Sequence, residues 1–492
     1  MLDLPVPQPY GALSNGEGVA MAGDDRTARS AGPPTGRIRR TAPVARLAAR
    51  TAAGKVVAAV RRRTGGDMSE FHARSAERYA ELLGQSKGAL MKAGQMLSFV
   101  GAAFPEEQRQ VFQSALRGLQ ADAPPMAYPV AAAMFEAELG RRPEQVFAEF
   151  GEAPVAAASI GQVHEARLPD GRRVAVKIQY PGAADAIRAD LDNLELLATV
   201  VGAARTLVPG LSRMDTRAVA EEIAGRIDEE LDYRKEAENQ GAFARAYRGH
   251  PFIHVPEVVP ELSTDRVLTQ QFVDGWRWSD ALSADQALRD RWGEVIFRFA
   301  IGTLRRHGLF NADPHPGNYL FHPDGTVTFV DFGCVKRFAR HQIELIQDIV
   351  RAAVKDDGDT LHAKFVEVGM LPATGGPSPD EVLAWYADGF EMFRGRQPYT
   401  LTPEAVAAFQ TQEMDLTGPH ARVLRSLNPP PDFVFLARID LGMLSVLAEL
   451  RATGWWEAIR AELDDGADPV TELGRAEAVF RAGQAPDLLR PA

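Results

Sequence analysis

From Asp67 to about Phe150 the apolar residues Leu82, Leu83, Leu90, Met91, Met96 and Leu97 recur at helical spacing, with turns at Ala123-Pro-Pro125 and Gly140 to Pro143. The pattern then shortens to β-type runs. Pro154 to His164 and Arg173 to Gln179 flank the turn Leu168-Pro-Asp-Gly171, a helix is predicted from about Asp215 to Tyr247, and Ile253 to Val259 and Arg266 to Val273 read as two further strands. Beyond Asp274-Gly275 the chain reads as largely helical, except for Tyr319 to Asp331, which reads as strand, Asp-Gly turn, strand. The class is α+β. The expected units are a disordered tail over 1–36, a basic segment over 37–66, a helical extension over 67–150, a small β-rich unit over 151–275 and a helical unit over 276–492.

Composition bounds this picture. At 492 residues, 45% hydrophobic and 25% charged, the chain has enough apolar material for two or three packed units. A net charge of −11 argues against nucleic acid as the main partner. The local exception is 37–63, where Arg37, Arg39, Arg40, Arg46, Arg50, Lys55, Arg61, Arg62 and Arg63 interleave with Val44, Leu47, Val56, Val57 and Val60. That pattern suits an amphipathic helix on an anionic membrane surface, and equally a solvated basic linker. The best apolar run, Phe433 to Leu450, is broken by Arg438, Asp440 and Glu449, so no transmembrane helix is expected; the N-terminus lacks the blocks of a signal peptide. The expected location is cytoplasmic, with peripheral attachment to the inner face of the membrane as an option. The single cysteine, Cys334, excludes an internal disulfide framework and is read as a buried filler or a reactive thiol.

The candidate chemistry begins with Asp313-Pro-His-Pro-Gly-Asn318 and Asp331-Phe-Gly333. Either alone is ordinary turn chemistry. Together, at the two ends of one predicted hairpin, they have the order and spacing of a kinase catalytic loop and metal loop, offering a catalytic or water-positioning carboxylate and two oxygen ligands for Mg²⁺. Val174-Ala-Val-Lys177 ends an apolar strand with the lysine such sites use on nucleotide phosphates; its partner is expected among the acids of the next helix, where Asp232 and Glu236 lie four apart on one face. Gln270 to Asp274 leaves the last small-unit strand as the expected hinge, with Gln271, Phe272 and Val273 against the adenine. The segment where a kinase carries its glycine loop reads Ala156-Ala-Ala-Ser-Ile-Gly-Gln-Val163, with only Gly161 kept, so phosphate grip should differ. His315 stands where many protein kinases carry a lysine, either as a pH-dependent cation or as a packing residue. A metal site from His307, His315 and His322 is disfavoured beside these hard oxygens.

These residues, together with Lys92-Ala-Gly-Gln95 and Glu230-Leu-Asp232, resemble the UbiB-like, or AarF, family of atypical kinases over about residues 85–340. The resemblance implies a bilobal protein-kinase-like fold with an N-terminal helical extension packed over the active site. It implies ATP and Mg²⁺ as cofactors, Lys177 on the phosphates with Glu236 as its partner, Asp313 as the catalytic-loop aspartate, and Asn318 and Asp331 as metal ligands. Ala156, Ala157, Ala158, Ser159, Ile160, Gly161 and Val163 would lie over the nucleotide. Lys92, Gly94 and Gln95 would fold across the protein-substrate site with Lys92 facing Glu230 and Asp232. The implied activity is ATP hydrolysis or phosphoryl transfer to a small molecule or lipid, supporting isoprenoid quinone biosynthesis or lipid handling at membranes, with a lipid or quinone precursor as partner. A true protein kinase, or a nucleotide-gated lipid-binding scaffold with slow turnover, are the alternatives.

Overall fold

The structure is a computed structural model that describes residues 125–484 apart from 159, 192–197, 199–215, 413–414 and 416. It opens with helix α1 (Tyr128–Leu139) and a short α2 (Pro143–Val146). A five-stranded antiparallel sheet follows, built from β1 (Glu149–Phe150), β2 (Ala156–Ala158), β3 (Gly161–Arg167), β4 (Arg173–Gln179) and, later in the chain, β6 (Val267–Gln271). One edge of β3 is shared by β1 at Arg167 and β2 at Val163; β4 takes the other edge and pairs onward with β6. Alternation along β4 sends Val174, Val176 and Ile178 onto Ala131 and Phe135 of α1, forming the small-lobe core. Lys177 therefore projects from the opposite face, and α1 covers the back of the sheet.

After α3 (Ala183–Leu191), the expected 215–247 helix is two helices, α4 (Thr216–Glu230) and α5 (Tyr233–Ala246). The break at Leu231-Asp232 is fixed by Gln179, whose Nε2 donates to the Leu231 carbonyl at 2.8 Å, while the Asp232 carboxylate caps α5 by accepting from the amides of Arg234 and Lys235. The expected strand over Ile253–Val259 is also corrected. Only β5 (Ile253–His254) forms, and it leaves the small-lobe sheet to pair in parallel with the hairpin of the helical lobe; Val258 alone bridges back to Gln270.

The helical lobe carries α6 (Trp278–Leu282) and the 22-residue α7 (Gln286–His307), whose apolar residues are wrapped on all sides. Then come β7 (Leu309–Asn311), the hairpin β8 (Tyr319–Phe321) and β9 (Val327–Phe329), and β10 (Val335–Arg337), which returns to pair with β7. The remainder is α8 (Arg340–Val354), α9 (Gly358–Glu367), α10 (Pro379–Asp388), α11 (Glu391–Arg394), β11 (Tyr399–Thr400), α12 (Pro403–Gln412), α13 (Ala421–Ser426), α14 (Pro431–Glu449), β12 (Thr453–Gly454), α15 (Trp456–Asp465) and α16 (Glu472–Ala482). The ladders β7–β10 and β11–β12 were not foreseen from the pattern; strands of two or three residues are too short to show a period. The large core joins α7 to the hairpin, α14 and α15 through Trp292, Phe297, Phe321, Phe329, Leu447 and Trp456. Among the described residues no helix is long and apolar enough to cross a membrane.

Candidate active site

Lys177 leaves β4 into a pocket of opposite charge. Its Nζ donates to Glu236 Oε1 at 2.8 Å and Oε2 at 2.9 Å, stands 3.5 Å from Asp331 Oδ2, and lies 4.8 Å from the ring centre of Tyr233. Burial works against the ammonium, yet the Asp331 and Glu236 carboxylates hold its pKa above the ordinary lysine range. Glu236 is only 2% exposed, so each member of the pair is what makes the other tolerable inside the protein. The α5 cap sets the height of Glu236, one turn into the helix, and the Tyr233 amide donates to the Asp265 carbonyl, fixing the helix start to the loop before β6. Tyr233 was not singled out in the sequence; an aromatic at a helix start carries no signal of its own.

The hairpin holds the other acids. Asn318 precedes β8 and Asp331 follows β9, and Val330 N donates to the Asn318 carbonyl at 3.0 Å, closing the open end of the pair. Asn318 Nδ2 donates to Asp313 Oδ2 at 3.0 Å and to the Asp313 carbonyl at 3.2 Å. Asn311 braces both loops: its Oδ1 accepts from Asp313 N at 3.1 Å and its Nδ2 donates to the Asp331 carbonyl at 2.8 Å. Asn311 is a residue that sequence reasoning missed, since its role depends on the β7–β10 ladder. Asp331 Oδ1 accepts from Gly333 N at 3.0 Å, and Phe332 turns inward against Phe243 of α5. His315 is exposed and its Nδ1 accepts from Gly317 N at 3.0 Å, so the ring shapes its own loop. Cys334 is a buried thiol. Among the described residues no cluster of three metal-binding side chains forms, and His307, His315 and His322 do not meet.

The alanine segment is a hairpin, with Ala156 opposite Val163 and Ala158 opposite Gly161. One expectation changes here. Gly161 is needed for close approach, because a Cβ there would lie 2.2 Å from the Ile178 carbonyl oxygen; positive φ has no part in it. Ile160, at the turn of this hairpin, is 4% exposed. Ser159 lies outside the described residues. Gln162 and His164, between these positions, are structural: Gln162 accepts from Met126 N at 2.8 Å, its Nε2 donates to the Met126 carbonyl at 3.0 Å, and it contacts His164 Nε2 at 2.8 Å.

At the expected hinge, two backbone donors are already used. Gln271 N donates to the Glu257 carbonyl at 2.8 Å and Phe272 N to the Arg173 carbonyl at 3.0 Å, while the Arg173 guanidinium covers the Phe272 ring at 4.4 Å. Among the described residues Val273 N makes no hydrogen bond. Lys92, Gly94 and Gln95 lie outside the described residues, as does 37–63. Of their expected partners, Asp232 is committed to its helix cap, whereas Glu230 reaches the cleft, its Cγ lying 3.7 Å from where a Cβ on Gly333 would be.

Comparison with known proteins gives the same outline. Residues 118–364 match the model of the ABC1 atypical kinase-like domain. An uncharacterized protein of Synechocystis is 34% identical over 293 residues, which is 59% of this chain and 42% of that protein. The atypical kinase COQ8B, mitochondrial, of Rattus norvegicus is 34% identical over 301 residues, 60% of this chain and 55% of its own length. The solved structure of Rv3197 with erythromycin, from Mycobacterium tuberculosis, is 32% identical, superimposes with a TM-score of 0.58, and covers 80% of this chain and 97% of that one. The chain thus spans about half or less of the curated relatives it matches.

Proposed function

The chain belongs to the ABC1 atypical kinase-like, or UbiB-like, family, and from that premise we propose that it binds Mg²⁺-ATP between the sheet and the helical lobe and hydrolyses or transfers the terminal phosphoryl group. The observation that carries this reading is the bidentate Lys177–Glu236 pair with Asp331 at 3.5 Å, an arrangement that delivers one fixed cation to a phosphate beside an acid suited to a metal. For Mg²⁺ the donor set fits: with its Nδ2 turned to Asp313, Asn318 presents its amide oxygen, and Asp331 adds a carboxylate, both hard ligands. The ion would supply positive charge against that developing on the phosphoryl oxygens. Asp313, held by Asn318 and Asn311, would position the attacking water or hydroxyl. Lys177 would orient the phosphates, Glu236 would orient Lys177, and the Val273 amide would meet the adenine edge. The alanine hairpin would close over the phosphates with less backbone freedom than a glycine loop.

The acceptor is proposed to be water, or a small lipid or quinone precursor, at a membrane surface reached by the basic 37–63 segment. COQ8B, a relative, is named an atypical kinase and is mitochondrial, and relatives from Arabidopsis thaliana are chloroplastic. A second reading, nucleotide-gated binding of an apolar molecule with slow turnover, is favoured by the Mycobacterium tuberculosis relative having been solved with erythromycin. ATP hydrolysis by the full chain, with and without anionic liposomes, separates the two. Turnover that liposomes raise and Asp331→Asn abolishes supports the ATPase; nucleotide binding without turnover under any condition rejects it in favour of the gated binder.

A further inference from the structure

Away from the cleft, helices α7 to α14, with Arg460 of α15, surround a pocket of about 330 Å³ walled by Phe297, Ile301, Phe365, Trp385, Phe390 and Met443. That volume is at the lower end of the range, roughly 300–1,000 Å³, in which proteins hold small molecules, and the apolar wall is typical of such sites. Three charged side chains interrupt it: Arg305, Asp440 and Arg460.

Their bonding is incomplete in a way that describes a ligand. Arg305 donates through Nε to Asp464 at 2.6 Å, but the side chain is 5% exposed and its Nη1 is buried without a hydrogen-bond partner. Arg460 is held by Glu457 at 2.7 Å and Asp465 at 2.9 Å, and its Nη1, which makes no hydrogen bond, is paired with Asp464 Oδ2 at 3.7 Å. Asp440 makes no hydrogen bond or ion pair among the described residues. Burial drives its pKa up to about 7, against the opposing charge of Arg305. A buried donor left unmet costs about 1–3 kcal/mol, so the pocket favours an occupant that supplies an acceptor. Each guanidinium already has a carboxylate, so a charged head would unbalance the site while a neutral one would not.

We propose that this pocket binds an apolar molecule with a single hydroxyl head, whose oxygen accepts from Arg305 Nη1 and whose proton is donated to Asp440. The site is also joined to the catalytic loop. Gly442, two residues along α14 from Asp440, packs so closely on Pro314 that a Cβ there would fall 2.5 Å from Pro314 Cγ. An occupant that shifts α14 is felt beside Asp313.

The test titrates the full chain with 1-decanol, decanoate and decylamine by calorimetry, and repeats the titrations on Asp440→Asn and on Ile301→Trp, which plugs the pocket. Cooperative thermal unfolding of each variant controls for folding. The expected result is saturable binding of 1-decanol at one site, weakened about tenfold by Asp440→Asn and abolished by Ile301→Trp, with the two charged amphiphiles at least tenfold weaker. Equal binding of all three, tighter binding of decanoate or decylamine, binding that survives Ile301→Trp in a folded variant, or no binding of 1-decanol to the folded wild type would each overturn the proposal.

Discussion

Two single residues make the sharpest claims on stability. Asp440, which lines the pocket with Arg305 of α7, has its pKa raised from 3.8 to about 7 by burial against the opposing charge of Arg305, so between those values the folded protein holds a proton there that the unfolded chain has released. Its contribution is fully present below about pH 4 and is lost as pH rises to about 7, an order of 4 kcal/mol in all. Denaturant unfolding across that window should show this slope in the wild type and lose it in Asp440→Asn; an unchanged slope would remove Asp440 as its source. Gly161→Ala drives a methyl into the Ile178 carbonyl and should destabilise by about 2 kcal/mol, readable as a lower denaturation midpoint at constant m-value. The two residues differ in legibility. A glycine in an alanine run was visible, but its reason was not, because close approach to another strand is a tertiary fact. An aspartate within the best apolar run stood out as an interruption, and only the packing of the surrounding helices gave it a setting.

At the level of elements, α16 is held to α7 by charge. Glu477, fully buried, accepts from Arg298 at 3.0 Å, from Arg481 at 3.1 Å and from Arg306, and its carboxyl lies well below the ordinary range because these cations and His250 outweigh its burial penalty. Glu477→Gln leaves those guanidiniums buried and underpaired and should cost about 3–5 kcal/mol. The sign follows the depressed pKa: wild-type stability from this group is present above about pH 4.5 and falls as acid is added, and the variant should lack that loss. Thermal unfolding at pH 7 and pH 4 measures both effects. Nothing in the α16 sequence distinguished this glutamate from those facing solvent. The elements of the candidate site were far more legible, since Val174 to Lys177, Asp313 to Asn318 and Asp331 to Gly333 each combine a local shape with a polar side chain that the structure brings to one cleft. The break at Leu231-Asp232 was hidden because helical spacing continues across it; the interruption comes from Gln179, which lies 52 residues away.

Across the whole molecule, the helix bearing Glu236 belongs to both halves. Its start is fastened to the small lobe through Gln179, Asp265 and the Lys177 pair, and the chain after its end enters the helical lobe as β5, beside Val327 and Thr328. Phe243 on the same helix packs on Phe332 and Phe299. A rod pinned at both ends behaves as a lever: the two lobes cannot hinge apart without tilting it, and tilt draws Glu236 from Lys177. If the cleft takes nucleotide as proposed, opening for its exchange and disarming of the Lys177 cation become one mechanical stroke, so a cross-link that locks the lobes should trap added ATP and preserve the ion pair together.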